Sequence, residues 1–224
     1  MTISRESPVD FQLEFRNFVM REQFPCLGAR ATLGHDTALV KAFGALGDPA
    51  YTEALGAELS GFGKRVEREE SPFLSFIAVF PATPKLDEHA FDALLWKQLQ
   101  QIGECDREGV AADASTSDHP EDPNFAFRFG GISYFVVGLT PSSSRIARRF
   151  TWPTLVFNPH PVFDRLRTEG RYERMKSMIR DREISLQGSL NPNLADFGEV
   201  SEARQYSGLV HPPEWKCPFH KEGT

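Results

Sequence analysis

The chain has 224 residues, 40% hydrophobic and 25% charged, the composition of a globular protein with a substantial core. A net charge of −6 argues against wholesale nucleic-acid binding, which needs a basic face. No run reaches the roughly 18 apolar residues of a membrane span, and the N-terminal MTISRESPVDF lacks the apolar stretch of a secretory signal.

The 3 cysteines, Cys26, Cys105 and Cys217, are odd in number and contain no CxxC pair. That fits a reducing cytoplasm better than a disulfide framework or a zinc site. Phenylalanine is over-used, with 19 copies against 4 tyrosines and 3 tryptophans. So much rigid apolar volume suits a pocket for a flat ligand or plain core equally well.

In chain order, Phe11, Phe15, Phe18 and Val19 fall at helical spacing, so the segment after Pro8 is an amphipathic helix that stops at FPC, residues 24–26. A second helix is expected over the alanine- and leucine-rich residues 29–43, and a third over 49–62 with Asp48 as its cap. FLSFIAVF, residues 73–80, reads as a strand closed by Pro81. Residues 87–102 read as a helix with Phe91, Leu94, Leu95, Leu99 and Ile102 on one face. The polar, acidic residues 103–123 read as a surface loop, either simply solvated or ordering over a ligand.

Phe125, Phe127 and Phe129 alternate as in a half-buried strand. Gly130-Gly131 signals a hairpin, and ISYFVVGL returns. TLVF is a further short strand, and residues 164–186 are helical with a break near Gly170. Beyond lie turn residues and a short helix near 200–205. No repeat or linker interrupts the chain, so residues 1–224 read as one α+β domain: a small antiparallel sheet of about four strands packed by helices.

Three local features carry chemistry. In FNPHPVF, residues 157–163, prolines flank His160 at the end of a buried strand, just where a helix begins. Pro161 disfavours helix at His160 and Pro159 fixes its own φ, so the imidazole is presented with little backbone freedom. It is either part of a stiff turn or a ligand for iron, and a lone histidine suits haem better than zinc. In SSSRIARRF, residues 142–150, Arg145, Arg148 and Arg149 stand beside Ser144 in a serine-rich turn. They form either a solvated basic patch or a site for carboxylates or phosphates. Cys26 follows a proline at a helix start, where the dipole lowers a thiol pKa. It is either buried and inert or a reactive thiolate.

FPC at residues 24–26 and CPF at 217–219 bracket FAFRFGG, VVGLTPSSSRIARRF, LVFNPHPVFDRLR and QGSLNP. This set resembles the YqcI/YcgG family over nearly the whole chain. The resemblance implies a haem-dependent N-hydroxylase, a monooxygenase of natural-product biosynthesis that binds haem b. It would use O2 and an external electron donor to oxidise L-arginine or a related guanidino or amino compound.

On that resemblance His160 is the axial ligand, with Cys26 as fallback. Arg145, Arg148 and Arg149 serve the propionates or the substrate carboxylate. Glu199 or Glu202 grips the guanidinium. Many relatives read GLHP where this chain has Gly138-Leu139-Thr140-Pro141. Either a ligand histidine is missing, or Thr140, with Ser144, acts on the oxygen side. No reductase fits in the chain, so a separate redox partner is implied, and a homodimer is compatible. The alternatives are a non-catalytic haem-binding or gas-sensing protein, and a thiol-dependent protein in which Cys26 and Cys217 meet.

Overall fold

A computed structural model describes residues 9–106 and 115–220. Asp10 caps the first helix, α1 (Phe11–Val19), by accepting the amide of Leu13, and the helix buries Phe15, Phe18 and Val19. Pro8 lies outside the described residues, as do residues 107–114 of the acidic stretch.

The expected second helix is cut short. Helix α2 covers only Leu27–Gly34, Asp36 turns the chain at φ 57°, and residues Ala38–Ala42 form strand β1. The physical reason is pairing at a distance. Residues 38–42 lie parallel to β2 (Ser75–Val79), with Val40 opposite Ile77, and that ladder overrides a helix-leaning local composition. The connection from β1 to β2 carries helix α3 (Thr52–Arg68), entered through a short 3-10 turn at Pro49–Tyr51 that Asp48 caps.

Helix α4 (Glu88–Glu104), capped by Asp87, buries Phe91, Leu95, Leu99 and Ile102. Strands β3 (Phe127–Phe129) and β4 (Ile132–Leu139) form the expected hairpin. Gly130 and Gly131 take φ values of 56° and 77°, as a two-residue turn of this kind demands. Strand β5 (Thr154–Pro159) leads directly into helix α5 (His160–Thr168). Gly170 at φ 68° separates α5 from helix α6 (Tyr172–Gln187), and a 3-10 turn at Glu202–Gln205 follows.

The sheet therefore has five strands in the order β1-β2-β5-β4-β3, antiparallel except for the β1–β2 edge. Phe76, Ala78, Tyr134, Val136, Leu155 and Phe157 point to one face, covered chiefly by α3 and α4. Ile77, Val79, Leu139 and Val156 point to the other, covered by α1 and α2 with Phe150. Because both faces are buried, FLSFIAVF shows no polar alternation. Most phenylalanines are plain core, each fully buried one contributing about 1.5–3 kcal/mol. Among the described residues no helix is long and apolar enough to cross a membrane.

Candidate functional site

At one end of the sheet the ladder pairs Tyr134 with Pro159, and at the other Leu139 with Thr154. His160 follows the first pair directly. Pro159 is its extended N-cap, with φ −65° and ψ 134°. The imidazole thus stands at the expected junction of strand and helix, as the first helical residue although Pro161 disfavours helix there.

The ring is buried and held edge-on by Phe163 and Phe197, the latter at 5.0 Å between centroids. Its Nε2 lies 3.3 and 3.2 Å from the two carboxylate oxygens of Glu202. Glu202 is itself buried and stands in the 3-10 turn, four residues before Tyr206. The Tyr206 hydroxyl donates to Glu202 Oε1 at 2.6 Å and accepts the amide of Phe127 at 3.0 Å. Burial pushes the Glu202 carboxyl above its usual range, against the opposing pull of His160 and Tyr206. The Tyr206 phenol is raised well above its ordinary value by the same burial and by the adjacent carboxylate.

His160 and Glu202 form the floor of a cavity of about 230 Å³. Its walls are largely apolar, built from Phe135, Phe163, Met175, Ile179, Leu194 and Phe197. Charges gather at the rim. Asp196 accepts from Lys176 at 2.9 Å and from Arg180 at 2.8 Å, and these partners hold its carboxyl below the usual range. Arg167 lies over the Tyr172 ring at 4.6 Å.

Other residues singled out in the sequence lie elsewhere. Thr140 and His160 flank opposite ends of the β4–β5 ladder, roughly 20 Å apart at 3.3 Å per residue. A histidine at position 140 would not share an iron with His160, and Thr140 does not line the cavity. Ser144 bonds Glu88 through its amide and hydroxyl. Glu199 is exposed and accepts the amide of Asp196.

None of the three arginines lines the cavity. Arg145 pairs with Glu183 at 2.5 Å and with Ser189. Arg149 donates to the carbonyls of Ser143 and Ser144. Arg148 donates to the carbonyls of Gly138, Gln205 and Tyr206. Burial lowers its pKa to about 10, and it remains charged at neutral pH. Its guanidinium staples the end of β4 to the turn that carries Glu202, a positioning role.

Cys26 caps α2 by accepting the Ala29 amide, and burial raises its thiol despite that contact. Cys217 belongs to the core beside Phe219, where burial pushes its thiol to about 12. The acidic groups felt by Cys26 and Cys217 differ, Glu183 for one and Glu121 and Asp92 for the other. Both are free thiols.

Tyr206 went unnoticed in the sequence, as did the pairing of Glu202 with His160. The four-residue spacing from Glu202 to Tyr206 is the local signal that could have linked those two. Nothing local connects either one to position 160.

Fold and site define the class: a mixed α+β protein with a buried His–Glu–Tyr relay opening on an apolar cavity at one end of its sheet. The chain belongs to the YqcI/YcgG family, whose pattern it matches over residues 15–220. No curated protein and no solved structure matches it.

As a donor set, one buried histidine backed by a carboxylate matches the single-residue ligation of the haem that the resemblance implies. Nε2 is engaged by Glu202, and a carboxylate behind a ligating imidazole fixes its tautomer and raises its basicity. The apolar walls suit a flat macrocycle, but the cavity of about 230 Å³ is smaller than such a group needs, and Lys176 and Arg180 are already paired with Asp196. Among the described residues no group of three or more His, Cys, Asp or Glu side chains is placed to hold a metal ion, and single-residue ligation needs none.

Proposed function

We propose that this chain is a haem-dependent N-hydroxylase that holds haem b through His160. It uses O2 and an external electron donor to oxidise a nitrogen of L-arginine or a related guanidino or amino compound. The observation that carries the reading is the buried Glu202 carboxylate behind the His160 imidazole, at the floor of an apolar cavity rimmed by Arg167, Lys176 and Arg180.

Haem supplies the one-electron and O2 chemistry when bound. The chain's own residues prepare the site. Glu202 accepts a hydrogen bond from Nε2–H of His160 and so favours the tautomer with its lone pair on Nδ1. Tyr206 donates to Glu202 Oε1 and holds that carboxylate in place. Phe135, Phe163 and Phe197 exclude water from the floor. Asp196 already binds one guanidinium, that of Arg180, at 2.8 Å, and a guanidino substrate would reproduce this pair. The cavity is smaller than the roughly 300–1,000 Å³ of sites for drug-sized ligands. Haem binding therefore requires α6, a wall with no fully buried residue, to move outward.

The test starts with an absorption spectrum after expression with added haem. A Soret band lost in His160→Ala and kept in Cys26→Ala is expected. No band at all would sink the reading. Mass spectrometry then separates enzyme from haem-binding sensor. The enzyme adds one oxygen to arginine only when both O2 and reductant are supplied.

A further inference from the structure

Behind the His160–Glu202 pair a file of aromatic rings leads toward solvent. Tyr206 stacks on Trp96 with ring centroids 5.5 Å apart and planes at 18°. Trp96, from α4, lies 6.1 Å from Trp215, and Trp215 stacks on His211 at 3.9 Å. Trp96 is buried and Trp215 half-buried, so the file starts in the core and reaches the surface.

Stacked rings are an ordinary way to fill a core. Two chemical details distinguish these. The Tyr206 hydroxyl has a carboxylate acceptor at 2.6 Å. The Trp96 indole Nε1 is buried with no hydrogen-bond partner among the described residues, although buried indole N–H groups usually find one. On losing an electron, Tyr206 can therefore hand its proton to Glu202. Trp96 cannot release its own and would pass the oxidising equivalent on. Arg204 lies over the Trp215 ring at 5.5 Å, and its positive charge makes an electron-deficient Trp215 less favourable than an electron-deficient Trp96. An oxidising equivalent entering at Trp215 is thus drawn inward, and one formed in the cavity leaves through Trp215 because a surface reductant removes it there.

We infer that Trp215, Trp96 and Tyr206 form a one-electron path between the surface and the His160 cavity, with Tyr206 as its proton-coupled terminus. Its use in the cell rests on the haem reading; the path itself does not. A one-electron oxidant in the cavity takes an electron from Tyr206, and the phenolic proton moves to Glu202 Oε1. Trp96 returns the electron and the proton comes back to Tyr206. Trp215 then refills Trp96, and a surface reductant of the thiol or ascorbate class refills Trp215. The net transfer is one electron from that reductant to the cavity oxidant, with no net proton gained or lost by the chain.

The test uses the full chain without haem, carrying Tyr51→Phe and Tyr172→Phe to remove the more exposed tyrosines. It is mixed with hexachloroiridate(IV), a one-electron oxidant that stays in solvent, then frozen and read by electron paramagnetic resonance. A tyrosyl signal is expected, lost in Tyr206→Phe, in Trp96→Phe and in Trp215→Phe. A parent without the signal overturns the path. So does a signal that survives Tyr206→Phe, or one whose yield is unchanged in both tryptophan variants. Thermal midpoints report folding, and if Trp96→Phe does not fold, the half-buried Trp215→Phe carries the comparison. A tryptophan-dependent signal in a chain with no Soret band would leave the path standing and sink the haem reading. The converse result would do the opposite.

Discussion

A carboxylate and an imidazole buried side by side are tolerated only because each supplies what the other lacks. Glu202 is the more exposed of the two to that constraint, since burial raises its carboxyl above the usual range. The sign follows from proton linkage: a carboxyl with a raised native pKa binds its proton more tightly when folded. Its contribution to stability is present below the ordinary carboxylate range and is lost as pH rises through the raised native value. Denaturant unfolding at a series of pH values should show wild-type stability falling across that window relative to Glu202→Gln, whose amide does not titrate. Parallel curves would mean the carboxyl is not coupled to folding. The cysteines make a second prediction at this scale. Iodoacetamide at neutral pH should alkylate the exposed Cys105 well ahead of the half-buried Cys26 and the buried Cys217, whose thiols are raised by desolvation. Peptide masses before and after unfolding check this, and rapid labelling of Cys26 in the native chain would revive a thiol chemistry.

Among the elements, the 3-10 turn at Glu202–Gln205 is too short to hold itself. Arg148 fixes it from outside by donating to the carbonyls of Gln205 and Tyr206 while also reaching Gly138 in β4. A lysine carries the charge but not the fork. Arg148→Lys should therefore cost about 1.5–3 kcal/mol of stability, the range of a hydrogen bond to a charged group. It should also loosen Tyr206 and Glu202, seen as a weaker or shifted Soret band in haem-loaded protein. An unchanged unfolding midpoint would contradict the staple. RIARRF looked like an anion site because forked donors suit carboxylates. The fold supplies other acceptors for the same donors, namely backbone carbonyls and Glu183. Nothing in residues 142–150 distinguishes the two uses.

At the scale of the molecule, the sheet end carrying His160 is closed by α6, which packs Tyr172 and Met175 against the core and is otherwise held by polar links. They include the Arg145–Glu183 pair and the contacts of Arg182 with the carbonyls of Glu22 and Phe24. With no residue of α6 fully buried, local opening there should need less free energy than opening the sheet. Hydrogen–deuterium exchange should find α6 amides less protected than those of β4 and β5 in haem-free chain, and more protected once haem is added. Equal protection of α6 with and without haem would argue that the cavity is not where haem binds.

The sequence alone determined the features written in consecutive residues. The amphipathic pattern of α1, the α4 face from Phe91 to Ile102, the Gly130-Gly131 hairpin and the break at Gly170 all rest on spacing within one turn or one strand. So do the place of His160 at the strand-to-helix junction, which two prolines mark out, and the family motifs on either side of it. Only the tertiary structure decided what depends on distant partners. Residues 38–42 became a strand because β2 offered a parallel edge. Arg145, Arg148 and Arg149 found their acceptors in distant or neighbouring carbonyls and, for Arg145, in Glu183. Glu202 met His160 although 42 positions separate them in the chain, and brought Tyr206 behind it. Burial, and with it the chemistry of a carboxylate, a thiol or a phenol, is set by what the whole fold packs around the group, and no local pattern encodes that.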